Sequence, residues 1–370
     1  MKKGLKIAIW TLVIILILGG ASFLFYKSVP APPVKEIEQA RQALANAKKI
    51  QAKIYSKELF TEAESNFDSA IITWKTENRK FILRRDYSNV VLLANMAVKK
   101  SVEASDQTKT HSASLSLKLA EQIHELKSLL MKITKRFNRF PLPSILRHRI
   151  ARGKLLLSEA QVAYQKGLLM QADKKTEVAR VLLEGSYDTA HKLIRDYFAN
   201  FDKWNNWKNQ AISESKQKKI NVIIVDKFAG KCFVFRNGMK THEFDAEFGK
   251  SWLGTKRYQG DHATPEGMYR VTAKKNENKT KYYKALMIDY PNSDDMKRFE
   301  REISKGTLPA SAKIGGLIQI HGHGGKGANW TEGCVALSDR DMNEIYKIAS
   351  VGTPVTIIGS SVDFSTIMNN

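Results

Sequence analysis

The stretch GLIQIHGHGGKGANWTEGCVAL, from Gly316 to Leu337, carries most of the structural and functional information in this 370-residue chain. It begins as an apolar strand that ends on His321. After a 12-residue loop rich in glycine, the chain returns to Cys334 at the start of a second apolar segment. Two strand ends joined by such a loop can bring an imidazole and a thiol together. The stretch therefore predicts neighbouring strands with a Cys–His pair at their ends.

A Cys–His pair of this kind has a specific chemical use. A free thiol has a pKa of about 8.5 and is mostly protonated at neutral pH, and a neighbouring imidazole can take its proton to create the attacking thiolate. Gly333 allows backbone to approach the nucleophile closely, so that N–H groups around Cys334 could hold a developing oxyanion. The alternative from spacing alone is an inert, buried cysteine beside a flexible loop.

Metal binding is a second alternative for the same histidines. His321 and His323 form a His-x-His pair, and His242, His262 and Cys334 are further candidate zinc ligands. However, glycine-rich loops rarely fix ligand geometry, and no acidic ligand lies nearby in the sequence. We therefore expect neither a metal nor another cofactor.

The region around this stretch is predicted to be mainly β with short helices. A β-branched run covers 220–225, and Asn237-Gly238 supplies the two positive φ angles of a tight hairpin turn between strands at 232–236 and 239–244. Ser338, with Asp341 three residues later, is a helix N-cap signal. Further strands are expected at 267–272, 285–290, 316–321 and 354–358.

Residues 35–217 have a different, helical pattern. They are rich in Ala, Leu, Lys, Glu and Gln, with apolar residues at three- and four-residue steps, which predicts an antiparallel helical bundle. Breaks are expected at Ser105–Ser112 and at Phe140–Pro143. A faint repeat, in which 55–63 resembles 164–172, would fit two related helical hairpins.

The positive charge of the chain, +23 in total, is concentrated in this helical region. From Leu126 to Ser158 there are nine basic residues and no acidic one. Such a stretch attracts an anionic surface or a protein partner, although a solvated helix face is the simpler reading. We do not expect a nucleic-acid partner, because the N-terminus indicates an extracytoplasmic protein. The nine are Lys127, Lys132, Lys135, Arg136, Arg139, Arg147, Arg149, Arg152 and Lys154.

The N-terminus reads as a membrane anchor. Ile7 to Tyr26 run for 20 residues without a charge, and a helix of that length, about 30 Å, matches the bilayer core. Lys2, Lys3 and Lys6 should remain in the cytoplasm, which places the rest of the chain on the periplasmic side of the cytoplasmic membrane. The alternative is a signal peptide cleaved near residues 20–22, but the apolar run continues past that site.

These patterns together predict an α + β multidomain chain. The expected parts are a cytoplasmic tip and transmembrane helix (1–28), a Pro-rich spacer (29–34), an α-helical bundle (35–217) and a mainly-β catalytic domain (218–362). Only two cysteines are present, so a disulfide scaffold is excluded. Cys232 alternates with Val234 on a strand and is expected to be a buried core thiol, the alternative being a bridge to Cys334.

The C-terminal 140 or so residues resemble the L,D-transpeptidase catalytic domains of the YkuD type, enzymes of bacterial peptidoglycan. The resemblance rests on three segments in the same order as in the family. They are the Thr-Pro-x-Gly run at 264–267, the segment 286–292 with Tyr290 and Asn292, and the strand-end His321 followed by Thr331-Glu332-Gly333-Cys334.

The resemblance implies a covalent mechanism. Cys334 would attack a peptidoglycan stem peptide and form an acyl-enzyme, His321 would be the base, and the backbone of Gly322 would orient that histidine. Backbone around Gly333 would form the oxyanion hole. Six residues are expected to bind substrate: Tyr290, Asn292, His323, Trp330, Thr331 and Glu332.

Two departures from the family pattern bear on which reaction the acyl-enzyme is expected to complete. Glu332 stands where many members have His, and Ala336 stands where many have Arg or Asn. Both changes resemble the YafK-like branch, which is associated partly with hydrolysis. The expected activity is therefore transpeptidation, with a peptidoglycan hydrolase (an L,D-carboxypeptidase or an amidase/endopeptidase) as the alternative. A third possibility is an inactive scaffold whose essential part is the helical bundle.

Overall fold

The computed structural model describes residues 2–369. The chain forms two compact units. One unit comprises the chain up to His124 together with Glu159–Thr176, and the other comprises Glu125–Ser158 and the chain from Glu177 onward.

The first helix, α1 (Lys2–Ser28), is the one helix within residues 2–369 that is long and apolar enough to cross a membrane. From Lys3 to Ser28 every side chain of this helix is exposed. Leu12, Ile15 and Leu16, for example, are each at least 60% exposed. Such exposure in water would cost several kcal/mol, which favours a lipid environment. The orientation of the anchor stays a prediction.

Helices α2 (Val34–Lys49), α3 (Ala52–Tyr55), α4 (Lys57–Asn78) and α5 (Ser88–Phe137) follow. One buried cluster joins the start of α2 to the end of α4 and the start of α5, through Ile37, Ala70 and Val90. A second joins the end of α2 to the start of α4, through Ala47 and Phe60. Neighbouring helices in sequence therefore run antiparallel, as predicted.

The predicted break at Ser105–Ser112 is wrong, because α5 continues through it without interruption. Hydroxyl groups there hydrogen-bond back to carbonyl oxygens three or four residues earlier, as Ser105 does to Ser101 and Thr110 to Asp106. The segment contains neither Gly nor Pro, so nothing forces the helix to end. The predicted break at Phe140–Pro143 is confirmed, since α6 (Ser144–Gln165) begins directly after it.

Two long helices complete the α-helical region. They are α7 (Leu169–Phe198) and α8 (Phe201–Lys218). The two similar segments of the faint repeat both lie at helical turns, since Tyr55 ends α3 and Tyr164 lies in the last turn of α6. Both tyrosines line one cavity beside the middle of α5. A common origin of the two hairpins stays a prediction.

The C-terminal domain is built on an eight-stranded sheet of order β3-β2-β1-β8-β4-β5-β6-β7. After β3 the chain pairs with the opposite edge strand, through a bridge between Glu247 and Ala336. The sheet therefore curls until its two edges meet. Its strands are β1 (Asn221–Asp226), β2 (Lys231–Arg236), β3 (Met239–Asp245), β4 (Gly267–Lys275), β5 (Ala285–Ile288), β6 (Gln319–His321), β7 (Val335–Ala336) and β8 (Pro354–Ile358).

The predicted strands and the hairpin are found, with two shorter than expected. Asn237 and Gly238 both have positive φ, as the tight turn requires. The strand that begins at 285 ends at Ile288. The strand that leads to His321 begins only at Gln319, because Leu317 has a φ of 61° and cannot extend it.

Three helices lie in this domain: α9 (Ser293–Ser304), α10 (Asp339–Ile348) and α11 (Phe364–Asn369). Ser338 caps α10 by accepting a hydrogen bond from the amide of Asp341, as predicted. Asn292 and Asp295 form a reciprocal capping box at the start of α9. This signal was present in the sequence and was not used to predict a helix.

A buried carboxylate ties α7 and α8 to the sheet domain. Glu266, directly before β4, accepts hydrogen bonds from Tyr197 of α7 (2.8 Å) and from Trp204 of α8 (3.0 Å). It also pairs with the fully buried ammonium group of Lys227 at 2.6 Å. Desolvation lowers the pKa of Lys227, while the charge of Glu266 opposes that shift. The end of α7 and the start of α8 are thus part of the sheet domain's core.

Candidate active site

The backbone of two neighbouring strands positions the predicted Cys–His pair. Strands β6 and β7 are parallel, with Ile320 opposite Val335 and His321 opposite Ala336. Cys334 directly precedes β7, so it lies one residue from the partner of Ile320. The parallel register places Cys334 two positions before the residue opposite His321, on the neighbouring strand. The pairing of thiol and imidazole stays a prediction.

The orientation of His321 is fixed by its own strand end. Its Nδ1 lies 2.6 Å from the carbonyl oxygen of Gly322, and a carbonyl only accepts, so Nδ1 carries the proton. The Nε2 atom is buried and has no hydrogen-bond partner among the described residues. An imidazole in this tautomer presents an unshared lone pair at Nε2, which is what a general base needs.

Gly322 is held where no larger residue would fit. A Cβ on this residue would lie 2.5 Å from Oδ1 of Asp339 and 2.9 Å from Cβ of Tyr283. Its amide donates to the carbonyl of Lys284 at 3.1 Å. The carbonyl that orients His321 is therefore itself fixed by packing on both sides.

The environment of His321 keeps the ring neutral. The residue has no exposed surface, and desolvation lowers the pKa of its imidazole to about 4. The hydrogen bond to Gly322 opposes this shift, and the nearby charges of Lys281 and Lys326 add to it. Tyr282 stacks flat on the ring, with centroids 3.6 Å apart. No motif in the sequence indicates this role for Tyr282.

Cys334 is half-buried at the same edge. Its Sγ lies 3.8 Å from the carbonyl oxygen of Leu317. Burial raises the pKa of the thiol, while the backbone amide of Gln319 and the charges of Lys256 and Lys281 act to lower it. Burial thus acts in the same way on both side chains: it lowers the pKa of the imidazole and raises that of the thiol, and so favours the uncharged form of each.

The turn that delivers Cys334 is held by Thr331. The buried Thr331 hydroxyl donates to the carbonyl of Cys334 at 2.7 Å and accepts from the amide of Gly333 at 3.2 Å. Gly333 has a φ of 128°, and a Cβ there would lie 2.7 Å from the carbonyl oxygen of Ala263. This position therefore requires glycine.

A carboxylate that no sequence motif indicates anchors the glycine-rich loop. Glu247 accepts from the amide of Gly327 at 2.6 Å and from the indole nitrogen of Trp330 at 2.7 Å. Trp330 in turn makes an edge contact with His321, at 6.0 Å between centroids. Glu247 lies 83 residues before Trp330 in the sequence. Its position just after β3 is the one sequence feature that hints at a role.

Trp330, Glu332 and His323 lie in the segment 321–334 that joins His321 to Cys334. Lys326 places its ammonium group 3.4 Å from the centre of the Trp330 ring. Glu332 is 83% exposed and lies 3.9 Å from Nδ1 of His262. His323 is exposed, and Asp339 accepts from its backbone amide at 2.6 Å.

Tyr290 and Asn292 have structural partners in this molecule. Tyr290 is buried, and its hydroxyl donates to the carbonyl of Ile314 at 3.3 Å. Asn292 caps α9 and donates to the carbonyl of Met268 at 3.1 Å. Substrate binding by these two residues stays a prediction.

The candidate zinc ligands are separated by this arrangement. His242 stacks on Phe244 in β3, His262 faces Glu332, and His323 faces Asp339. Within residues 2–369, no group of three or more His, Cys, Asp or Glu side chains is placed to hold a metal ion. The second thiol, Cys232, is fully buried and unbridged, which confirms the predicted core role.

Comparison with known proteins identifies relatives of the C-terminal domain. The family model of the L,D-transpeptidase catalytic domain (YkuD) matches residues 220–357. The YafK protein of Escherichia coli strain K12, whose name assigns it to the L,D-transpeptidases, is 30% identical over 98 residues. Those residues make up 26% of this chain and 32% of YafK, so the chain spans about a third of the length of this curated relative.

Solved structures give weaker likenesses. The L,D-transpeptidase from Mycobacterium smegmatis is 17% identical, with a TM-score of 0.25, over 38% of this chain and 58% of that chain. The L,D-transpeptidase from Xylanimonas cellulosilytica is 14% identical, with a TM-score of 0.26, over 38% of this chain and 61% of that chain. On the family-model match, residues 220–357 of this chain are similar to the YkuD-type L,D-transpeptidase catalytic domain, as the motifs around His321 and Cys334 predicted.

Proposed function

We propose that this chain is a cysteine acyltransferase that forms an acyl-enzyme on Cys334 with peptidoglycan stem peptides. The observation that carries the proposal is the buried, unpartnered Nε2 of His321, on the strand next to the one that Cys334 precedes. A buried polar atom without a partner costs stability and is retained where chemistry uses it. The similarity of residues 220–357 to L,D-transpeptidases supplies the substrate class.

The first half-reaction forms a thioester. His321 Nε2 takes the proton from Cys334 Sγ, and the sulfur attacks the carbonyl carbon of the L,D peptide bond of the stem. The tetrahedral intermediate collapses as the C–N bond breaks. The leaving amine of the terminal D-amino acid takes the proton from Nε2, so the histidine returns to its neutral form.

The second half-reaction transfers the acyl group. An amine of a second stem loses a proton to Nε2 and attacks the thioester carbonyl. The C–S bond then breaks, and the sulfur recovers the proton as a thiol. If water attacks instead, the same residues carry out hydrolysis and the product is a shortened peptide.

Backbone amides around Cys334 are the proposed oxyanion donors. The amide of Gly333 donates to Thr331 Oγ1 in this structure, so it would have to leave that acceptor to serve the oxyanion. The amide of Cys334 itself is the second proposed donor. Thr331 therefore acts first as a support of the turn, and contact with substrate is a secondary role.

The surface around the pair supplies the proposed substrate contacts. Trp330, with Lys326 over its ring, offers an apolar wall beside a cation that can pair with a stem carboxylate. Glu332 and His323 lie exposed and can pair with an ammonium or carboxylate group of the stem. We propose that the catalytic domain acts on the periplasmic side, tethered to the membrane by α1.

Product analysis tests this function. The full chain in neutral detergent is incubated with purified tetrapeptide muropeptides, and the products are separated and identified by mass spectrometry. Cross-linked dimers joined between two diaminopimelate residues indicate transfer, and shortened stems alone indicate hydrolysis. The Cys334→Ala variant is the matched control and should give neither, and if it turned over as fast as the native chain, the proposal would be wrong.

A further inference from the structure

The hairpin formed by the end of α5 and the start of α6 is strongly and uniformly cationic. None of its nine basic residues, which lie between Lys127 and Lys154, forms an ion pair within residues 2–369. All but Arg136 are exposed. We call this surface the basic hairpin, and the catalytic scheme gives it no role.

Helix stability does not explain these charges. Arg147 and Arg149 lie in the first two turns of α6, which has no acidic residue in its first turn. Cations near a helix N-terminus are unfavourable, because the helix dipole is positive at that end. Like charges at this density also repel one another. An anionic partner outside the chain would offset both costs.

Four of the cations lie at the end of α5 and in the turn that follows it, where Arg139 lies. Lys132, Lys135, Arg136 and Arg139 are spaced i, i+3, i+4 and i+7, and the first three share a helix face. They line a cavity of about 580 Å³ between α5 and α11. The remaining wall is largely apolar, with Phe140, Phe228, Val362, Ile367 and Met368.

The cavity joins positive charge to apolar surface in one space. The guanidinium of Arg139 lies over the ring of Phe228, 4.6 Å from its centre, and Arg136 donates to the Tyr187 hydroxyl at 2.9 Å. Asp363, before α11, turns its carboxylate to Ser365 and Thr366. Within residues 2–369, the ammonium groups of Lys132 and Lys135 form no ion pair with a carboxylate.

Large apolar side chains are exposed on the same helix faces as the cations. Met131 is 66% exposed and lies one turn from both Lys127 and Lys135. Ile145, one turn before Arg149, is 72% exposed. Exposed apolar residues interspersed with Lys and Arg are the pattern of a surface that lies at a lipid–water boundary. A wall glycan or a nucleic acid offers no apolar phase for them.

We propose that the basic hairpin docks on an anionic phospholipid surface and that the cavity between α5 and α11 accepts a lipid headgroup phosphate. The apolar helix α1 supplies the independent reason to expect a bilayer within reach of this chain. The tip of the hairpin packs on the catalytic domain, since Phe140 stacks on Phe228 and Trp252. Docking would therefore hold the catalytic domain against the membrane surface.

Lysine footprinting on the full chain tests this proposal. The protein is placed in nanodiscs of phosphatidylcholine alone or of phosphatidylcholine with phosphatidylglycerol, and its lysines are acetylated briefly and quantified by mass spectrometry. Neither lipid has a primary amine that could be acetylated in competition with the lysines. We expect Lys132 and Lys135 to react about fivefold more slowly in the anionic nanodiscs, the factor that one cation contributes at such a surface. High salt should abolish the difference.

The chain offers internal controls. Lys48, Lys118 and Lys166 are exposed and form no ion pair among the described residues, so their rates should be equal in both nanodiscs. In the variant Lys132→Gln/Lys135→Gln/Arg139→Gln, the protection of Lys127 and Lys154 should be lost. The matched variant Lys48→Gln/Lys118→Gln/Lys166→Gln should keep it.

Two results would overturn the proposal. One is equal labelling of Lys132 and Lys135 in neutral and anionic nanodiscs. The other is protection of the same lysines in neutral nanodiscs by added peptidoglycan fragments, which would assign the basic hairpin to the wall. Product formation by Cys334 is measured separately, so failure here leaves the catalytic proposal standing.

Discussion

The ring of Tyr282 lies face to face with the imidazole of His321, with centroids 3.6 Å apart and planes inclined by 9°. This contact covers one side of the base and excludes water from it. It also accounts in part for the desolvation that lowers the pKa of His321 to about 4. A tyrosine in the segment between β4 and β5 thus acts on the proposed base, His321, by stacking.

Replacing Tyr282 should change the pH profile of the reaction. In Tyr282→Ala the imidazole becomes hydrated and its pKa rises, so the acid limb of kcat/KM should move up by about one pH unit. Tyr282→Phe keeps the stacked ring and should keep the native profile. Identical acid limbs in native enzyme and Tyr282→Ala would show that the stack does not set the basicity of His321.

The low pKa of His321 also predicts a pH dependence of stability. Between pH 6.5 and about 4 the unfolded chain binds a proton at this residue that the folded chain does not, so the free energy of unfolding falls as the pH decreases. The full difference is about 3 kcal/mol. Denaturant unfolding of the sheet domain at pH 7 and at pH 4.5 measures it.

The variant His321→Gln separates this effect from the titration of carboxylates. Glutamine does not titrate, so the variant should lose less stability than the native chain over the same pH interval. The comparison uses the slope with pH, because the substitution also changes absolute stability. Equal slopes for the two proteins would mean that His321 is not held neutral by folding.

The two cysteines should differ sharply in reactivity. Burial raises the pKa of Cys232 to about 12, and the residue has no exposed surface. Cys334 is half-buried at the sheet edge. Iodoacetamide should therefore add one carbamidomethyl group to the folded chain, on Cys334, and none to Cys334→Ala. Peptide mapping checks the position, and modification of Cys232 in the folded chain would contradict the assignment.

Glu247 should be needed to hold the loop between His321 and Cys334. In Glu247→Leu the amide of Gly327 and the indole of Trp330 lose their acceptor, which should cost about 1 kcal/mol for each hydrogen bond. Activity should fall with stability, because Trp330 contacts His321. Thermal unfolding and product formation check both effects.

The substitution Glu300→Leu is the control for Glu247. Glu300 is exposed on α9 and forms no ion pair in the described part of the chain, so its replacement should leave Tm almost unchanged. If Glu247→Leu and Glu300→Leu were equally stable, the two hydrogen bonds would not anchor the loop.

Patterns that act locally were predictable from the sequence. Asn237-Gly238 fixes its hairpin by its own backbone preference, and Ser338 caps its helix by its own side chain. The strand end at His321 and the need for glycine at 333 were also predictable, because they too depend on local backbone preferences. The continuous α5 was not, because serine and threonine hydroxyls bonded back to their own helix where a break was expected.

Contacts between distant parts of the chain could not be predicted from local sequence patterns. Tyr282 reaches His321 and Glu247 reaches Trp330 only because the sheet curls and joins its edges. Likewise Glu266, which looks like part of a Thr-Pro-x-Gly motif, meets Tyr197 and Trp204 across the core. Tyr290 and Asn292 show the opposite. Their motif positions predict contact with substrate, but they do not indicate that the two side chains hydrogen-bond within the fold.

Acylation of Cys334 by a peptidoglycan stem is the step on which the proposed function depends, and peptide mapping by mass spectrometry tests it most directly. The full chain is mixed with a tetrapeptide muropeptide, quenched in acid and digested. We predict an adduct on the peptide containing Cys334, with the mass of the stem minus its terminal D-amino acid, and none in Cys334→Ala. Unmodified Cys334 under conditions where products accumulate, or an adduct on any other residue, would contradict the account.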